Sequence, residues 1–227
     1  MLVQNPADAA AAALRLEELG YHGGYTFEGP HDPFLPLAVA AGATSRLELA
    51  TAIAIAFARN PMLLANLGYD LQLLSEGRFI LGLGSQIRPH IQKRFSMPWS
   101  RPAARMRDLV LAIRAIWRAW QEGEKLDYRG EFYSHTLMTP VFNPGPNPHG
   151  LPPIFVAGVG PDLQAGPTQD GRHRDPHDPL EVRRDVGKVM LGVGRPEPVG
   201  GCLGEIAEAF LAHLQRFFGG ALVLLEA

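Results

Sequence analysis

Two glycine-paired segments are the first residues of this chain with chemistry to offer. Gly82-Leu83-Gly84-Ser85-Gln86 and Gly158-Val159-Gly160 each follow an apolar run. At the end of a strand such a segment can turn backbone N–H groups toward an anion. One Gly pair alone marks no more than a tight turn, whereas two on one sheet face point to a phosphorylated ligand. Neither carries the third glycine of a G-x-G-x-x-G dinucleotide loop, and neither is a P-loop. Arg59, between Ala58 and Asn60, is placed to hold a phosphate or carboxylate, or is a solvated loop arginine. His31 and Asp32 form a polar pair suited to contact with a ligand ring or to proton transfer; a plain surface turn, Gly-Pro-His-Asp-Pro, is the alternative.

Other chemistries find little support. His173, Asp175, His177 and Asp178 imitate metal-ligand spacing, but lie in an unpatterned stretch with no second shell to orient them, so no metal site is assigned. Cys202 is the single cysteine, which excludes an intrachain disulfide framework and a Cys-rich metal site. A small buried apolar residue is its simplest reading. No Gly-x-Ser-x-Gly elbow or triad-like arrangement is present.

The elements that must position these residues alternate. Asn5 caps a first helix, with Pro6 in its first turn and Gly20 as its left-handed stop. Residues 22–27 read as a strand and 33–43 as a short helix. Residues 47–56 form an apolar run without alternation, the mark of a strand buried on both faces of a parallel sheet. A helix follows Pro61, with Leu63, Leu64, Leu67, Leu71 and Leu74 as its apolar face and Gly77 at its close. Residues 78–84 restore a buried strand. A parallel pair needs a crossover, nearly always right-handed, so Arg59-Asn60-Pro61 and Gly84-Ser85 meet at the carboxyl ends of neighbouring strands. Ligands of α/β proteins bind at that edge.

A long helix follows Pro102, with Met106, Leu109, Val110, Ile113, Trp117 and Trp120 at a helical period, read as core. Residues 128–133 suggest a hairpin or extended arm, 143–153 a Pro/Gly loop, and 151–161 another strand ending in glycines. Twelve of the forty residues from 161 to 200 are Gly or Pro and the charges lack a period, a composition expected of low-complexity chain. Residues 203–218 read as an amphipathic helix and 221–225 as a last apolar strand.

With 227 residues, 46% of them hydrophobic, the chain has the material for a substantial core. A net charge of −2 gives no reason to expect nucleic acid or an anionic membrane as partner. No run approaches the ~18 apolar residues of a membrane span, and no signal pattern opens the sequence. The expected location is cytoplasmic.

At residues 51–61 and 74–85, which pair Arg59-Asn60-Pro61 with Gly82-Leu83-Gly84-Ser85, the chain resembles the luciferase-like monooxygenase superfamily, most closely its coenzyme F420-dependent branch. Residues 19–28, the long helix after Arg101-Pro102 and residues 153–161 share the likeness, which extends over residues 5–161. The resemblance implies a bacterial luciferase-like (β/α)8 barrel of TIM type, with a flavin or deazaflavin across the strand ends. It implies a cis peptide at Ala52–Ile53 beneath the ring, phosphate contacts from Gly84, Ser85, Gly158 and Gly160, and His31 near ring or substrate. The implied function is hydride transfer between F420 and a small organic substrate. An FMN-dependent monooxygenase is the alternative, and an inactive flavin-binding remnant the reading from another class.

The family's first strand has no recognisable counterpart before Asn5, and its later strands have none after Pro161. The expected fold is therefore α/β, an incomplete barrel over residues 1–161, an irregular segment over 162–200 and a terminal helix and strand over 201–227. A frame change or deletion near residue 161 accounts for that break as a hypothesis. A homodimer would cover the strand edges that an open barrel exposes.

Overall fold

The computed structural model describes residues 1–2, 5–157, 181–182 and 222–226. These fall into two units, Met1–Pro153 and Ile154–Ala227.

In the first unit a 3-10 turn, Pro6–Asp8, leads into α1 (Ala9–Glu18), and the Asn5 side chain accepts the Ala7 N–H at 3.1 Å. Gly20 ends the helix at φ +79°, as its type predicts. Then follow β1 (Gly23–Thr26), α2 (Phe34–Ala43), β2 (Glu48–Thr51), β3 (Ala54–Ile55), α3 (Pro61–Leu74) and β4 (Phe79–Gly84). β1 pairs with β2, and β2 and β3 both pair with β4, all parallel. This is the α/β alternation the sequence predicts, and among the described residues the parallel strands do not close a barrel. Leu2 is fully buried and its N–H bonds to Tyr25 O at 2.8 Å, so Leu2 lies beside β1.

α4 (Pro102–Gln121) buries Met106, Leu109, Val110, Ile113, Trp117 and Trp120, all six as the periodicity requires. A fully buried side chain of this size contributes about 1.5–3 kcal/mol relative to exposure. Gly68 on α3 makes room for the indole of Trp117, whose Cζ2 lies 3.0 Å from where a Cβ would stand. Trp117 Nε1 then donates to Ala65 O at 3.0 Å. On α3 the buried face is Leu64, Ala65, Gly68, Tyr69, Leu71 and Gln72. Leu63 and Leu74, which the leucine spacing assigns to that face, are half exposed. The leucine pattern is broader than the arc that the sheet and α4 can cover.

The arm at residues 128–133 is a hairpin of β5 (Tyr128–Arg129) and β6 (Ser134–His135). Asp108 on α4 anchors it, accepting the N–H groups of Phe132 (2.6 Å) and Tyr133 (3.0 Å) and the Tyr128 hydroxyl. Burial, together with this carboxylate, pushes the Tyr128 phenol above its ordinary range.

A second carboxylate ties α1 to the sheet. Glu17 accepts the N–H groups of Ser45 (3.1 Å), Arg46 (2.8 Å) and Leu47 (2.9 Å), at the entry to β2. These bonds, that of Arg46 foremost, hold its carboxyl down to about 2 against an ordinary 4.5. A depressed carboxylate adds stability that is fully present above its unfolded value and disappears as pH falls through its folded value. Urea midpoints followed from pH 6 to pH 2 should thus separate the wild type from Glu17→Gln most at pH 6. The two curves should converge near pH 2, and a constant separation would remove Glu17 from the acid response.

In the second unit β9 (Leu222–Glu226) pairs antiparallel with β7 (Ile154–Ala157) and with β8 (Glu181–Val182). This departs from the all-parallel pairing of a β/α barrel. The final strand read at residues 221–225 is present as β9; the helix read at 203–218 lies outside the described residues.

Candidate functional site

The apolar run at residues 47–56 is not one strand. β2 keeps register with β4 up to Ala50↔Ile80, and β3 resumes at Ala54↔Leu83. Between those pairs residues 51–53 stand opposite residues 81–82, so one extra residue is inserted and the strand bulges. The Ala52–Ile53 peptide at the bulge is cis.

Three polar groups at the break find partners in a neighbouring strand or the loop after β1. The Thr51 hydroxyl donates to Gly82 O at 2.7 Å and accepts Gly82 N–H at 2.8 Å, standing in for the missing ladder bonds. Ala52 N–H donates to Thr26 O at 2.6 Å, and Ile53 O accepts Glu28 N–H at 3.1 Å. Ala52 and Ile53 are thereby left half-buried, while Thr51 and Ala54 on either side are buried. Ile53 lies over Gly84, its Cδ1 2.7 Å from the position a Cβ would take. The result is a small apolar platform at the carboxyl edge of parallel strands, followed by the half-buried polar pair Ser85 and Gln86.

The loop after β1 borders the same edge. Glu28 accepts Ile55 N–H at 2.7 Å and Arg59 Nη1 at 2.5 Å. Asp32 accepts Arg59 Nη2 at 2.9 Å and caps α2 through the N–H groups of Phe34 (2.8 Å) and Leu35 (3.3 Å). His31 is exposed in the loop between these two carboxylates. Arg94 reaches back from the turn after β4 to donate to Gly29 O at 2.9 Å.

Of the residues singled out in the sequence, Ala52, Ile53, Arg59, Gly84 and Ser85 thus collect at this edge, and the loop carrying His31 is bonded to it. Arg59 faces two carboxylates of its own chain, Glu28 and Asp32, which is neither a bound ligand's phosphate nor the solvated loop of the alternative. Gly158 and Gly160 lie outside the described residues, as do His173, Asp175, His177, Asp178 and Cys202. Sequence reasoning missed Thr51 and Glu28. A lone threonine within an alanine- and isoleucine-rich run was the available signal for the first. The second is a carboxylate at a strand end, 31 residues from its arginine.

Among the described residues no helix is long and apolar enough to cross a membrane.

Comparison with known proteins identifies the family of the chain. An uncharacterized protein of Mycobacterium tuberculosis (strain ATCC 25618 / H37Rv) is 60% identical over 167 residues, 73% of this chain and 49% of the relative. A phthiodiolone/phenolphthiodiolone dimycocerosates ketoreductase of the same strain is 32% identical over 146 residues, 64% of this chain and 36% of that protein. The chain spans about half the length of the first of these relatives. An F420-dependent secondary alcohol dehydrogenase, solved with an F420–acetone adduct, shares the fold with a TM-score of 0.58 at 18% identity, over 71% of this chain and 51% of that one. Residues 2–165 match the family described as luciferase-like monooxygenase. The chain belongs to the luciferase-like monooxygenase family, and its α/β unit is an incomplete form of that family's barrel.

Proposed function

We propose that this chain belongs to an F420-dependent oxidoreductase that moves hydride between the deazaflavin and a small organic carbonyl or alcohol. The observation that carries the reading is the one-residue bulge at Thr51–Ile53, which sets an apolar platform beside Gly84 and Ser85 at the strand ends. The likeness of residues 51–61 and 74–85 to the F420 branch supports the choice of cofactor. The ketoreductase relative, whose name denotes carbonyl reduction, supports the choice of reaction.

In this reading Ala52 and Ile53 support one face of the ring, and Ser85, with Gly84, meets its polar tail. Gly158 and Gly160 are proposed as further phosphate contacts. The deazaflavin supplies two-electron hydride chemistry when bound. The chain's own work is to bind, to orient and to keep water from the ring face. His31 would hold or deliver the proton at the substrate oxygen, a role usually worth about a hundredfold in rate or more. An FMN-dependent monooxygenase is the second reading, favoured by the family's description. We further propose a cytoplasmic protein with no nucleic-acid or membrane partner, assembled as a homodimer.

Mixing the protein with reduced F420 and a panel of ketones separates the readings. Re-oxidation of F420 in step with ketone consumption is expected, and His31→Ala should slow it about a hundredfold. Turnover only with reduced FMN and oxygen would replace the first reading by the second.

A further inference from the structure

Arg59 joins two carboxylates that the chain holds four residues apart. Its Nη1 bonds Glu28 at 2.5 Å and Ile55 O at 3.2 Å, its Nη2 bonds Asp32 at 2.9 Å, and its Cζ lies 5.3 Å from the centre of the Phe34 ring. The Arg59 and Glu28 side chains are only 15% and 7% exposed, so water screens this pair far less than a surface pair. A continuous set of contacts results. It runs from the bulge (Ile53 O and Ile55 N–H) to Glu28, through Arg59 to Asp32, and ends at the first turn of α2. His31 stands on the stretch that this chain of bonds fixes at both ends.

One guanidinium between two carboxylates leaves a formal charge of −1. Such a cluster does not attract a phosphate, and both terminal nitrogens of the arginine are already engaged. We propose that Arg59 is a positioning residue: by bridging Glu28 and Asp32 it fixes residues 28–32, and with them His31, against the platform at Ala52–Ile53. The role rests on the proposed function, since the loop is fixed for the sake of the ring and substrate that would lie there. Lysine is a poor substitute, because an ammonium lacks the planar fork that reaches two carboxylates at once.

Amide hydrogen exchange on the ligand-free protein tests the proposal independently of any cofactor. In Arg59→Gln the amides of Ile55, Phe34 and Leu35, which depend on Glu28 and Asp32, should exchange about tenfold faster, with partial recovery in Arg59→Lys. Should Arg59→Gln fail to fold, Asp32→Asn serves instead. It should speed Phe34 and Leu35 and spare Ile55. Unchanged exchange in a folded variant would overturn the proposal.

Affinity for F420 and for its phosphate-free deazaflavin core supplies the second readout. A positioning role weakens both by the same factor in Arg59→Gln. Loss confined to F420 would make Arg59 a phosphate ligand and overturn the proposal. A wild type that binds neither would refute the proposed function, while the exchange rates would still decide the role of Arg59.

Discussion

Gly82→Ala is expected to destabilise the protein by about 3–4 kcal/mol, among the largest effects of any single methyl group in the first unit. The added Cβ would overlap the backbone oxygen of Thr51, a main-chain atom that no rotamer change can move aside. Either β2 or β4 must shift, and with it the register on both sides of the bulge. A domain of ordinary stability holds ~5–15 kcal/mol in total, so the loss should be plain in a urea melt. Gly42→Ala is the matched control. No atom lies within 4 Å of its Cβ position in α2, and the helix should gain about 0.5–1 kcal/mol. Equal melts for wild type and Gly82→Ala would contradict the close approach of the two strands.

Thr51→Val separates the hydroxyl from the shape of the side chain and should cost about 3 kcal/mol. Thr51 is 2% exposed, and its hydroxyl is bonded both to the N–H and to the C=O of Gly82. Valine keeps the branched form and leaves both of those buried backbone groups without this partner, each at about 1–3 kcal/mol. Thr51→Ser restores the hydroxyl and should lose no more than about 1 kcal/mol, the worth of a methyl group. Because the bond spans the bulge, Thr51→Val should also weaken cofactor binding, whereas Thr51→Ser should not. If serine proved damaging and valine neutral, packing would explain the site and the hydrogen bonds would not.

The sequence made the alternation of helices and strands legible because its signals are local. Asn60 before Pro61 caps α3, with the Asn60 side chain accepting Leu63 N–H at 2.9 Å, and Gly77 follows the helix at φ +89°. The apolar stripe of α4 packs as its period requires. What the residues alone did not give was the break in the run at 47–56. Every residue from Ala52 to Ala56 is apolar, so no polarity change marks the extra residue; only the resemblance pointed to Ala52–Ile53. The partners of Arg59 were equally hidden, because Glu28 and Asp32 lie 31 and 27 residues away and meet it only once β1 and β2 are paired. Leu63 and Leu74 failed for a related reason. Leucine at helical spacing reports a face able to be buried, and the neighbours decide how wide an arc is covered.

Fluorescence titration of the purified protein with F420 and with FMN asks whether the strand-end platform at Ala52, Ile53 and Gly84 receives a flavin-type ring. Saturable binding of F420 is expected, at one equivalent per chain, weakened by Thr51→Val and preserved by Thr51→Ser. Saturable binding of FMN alone would contradict the F420 assignment, and binding of neither would contradict the platform's role.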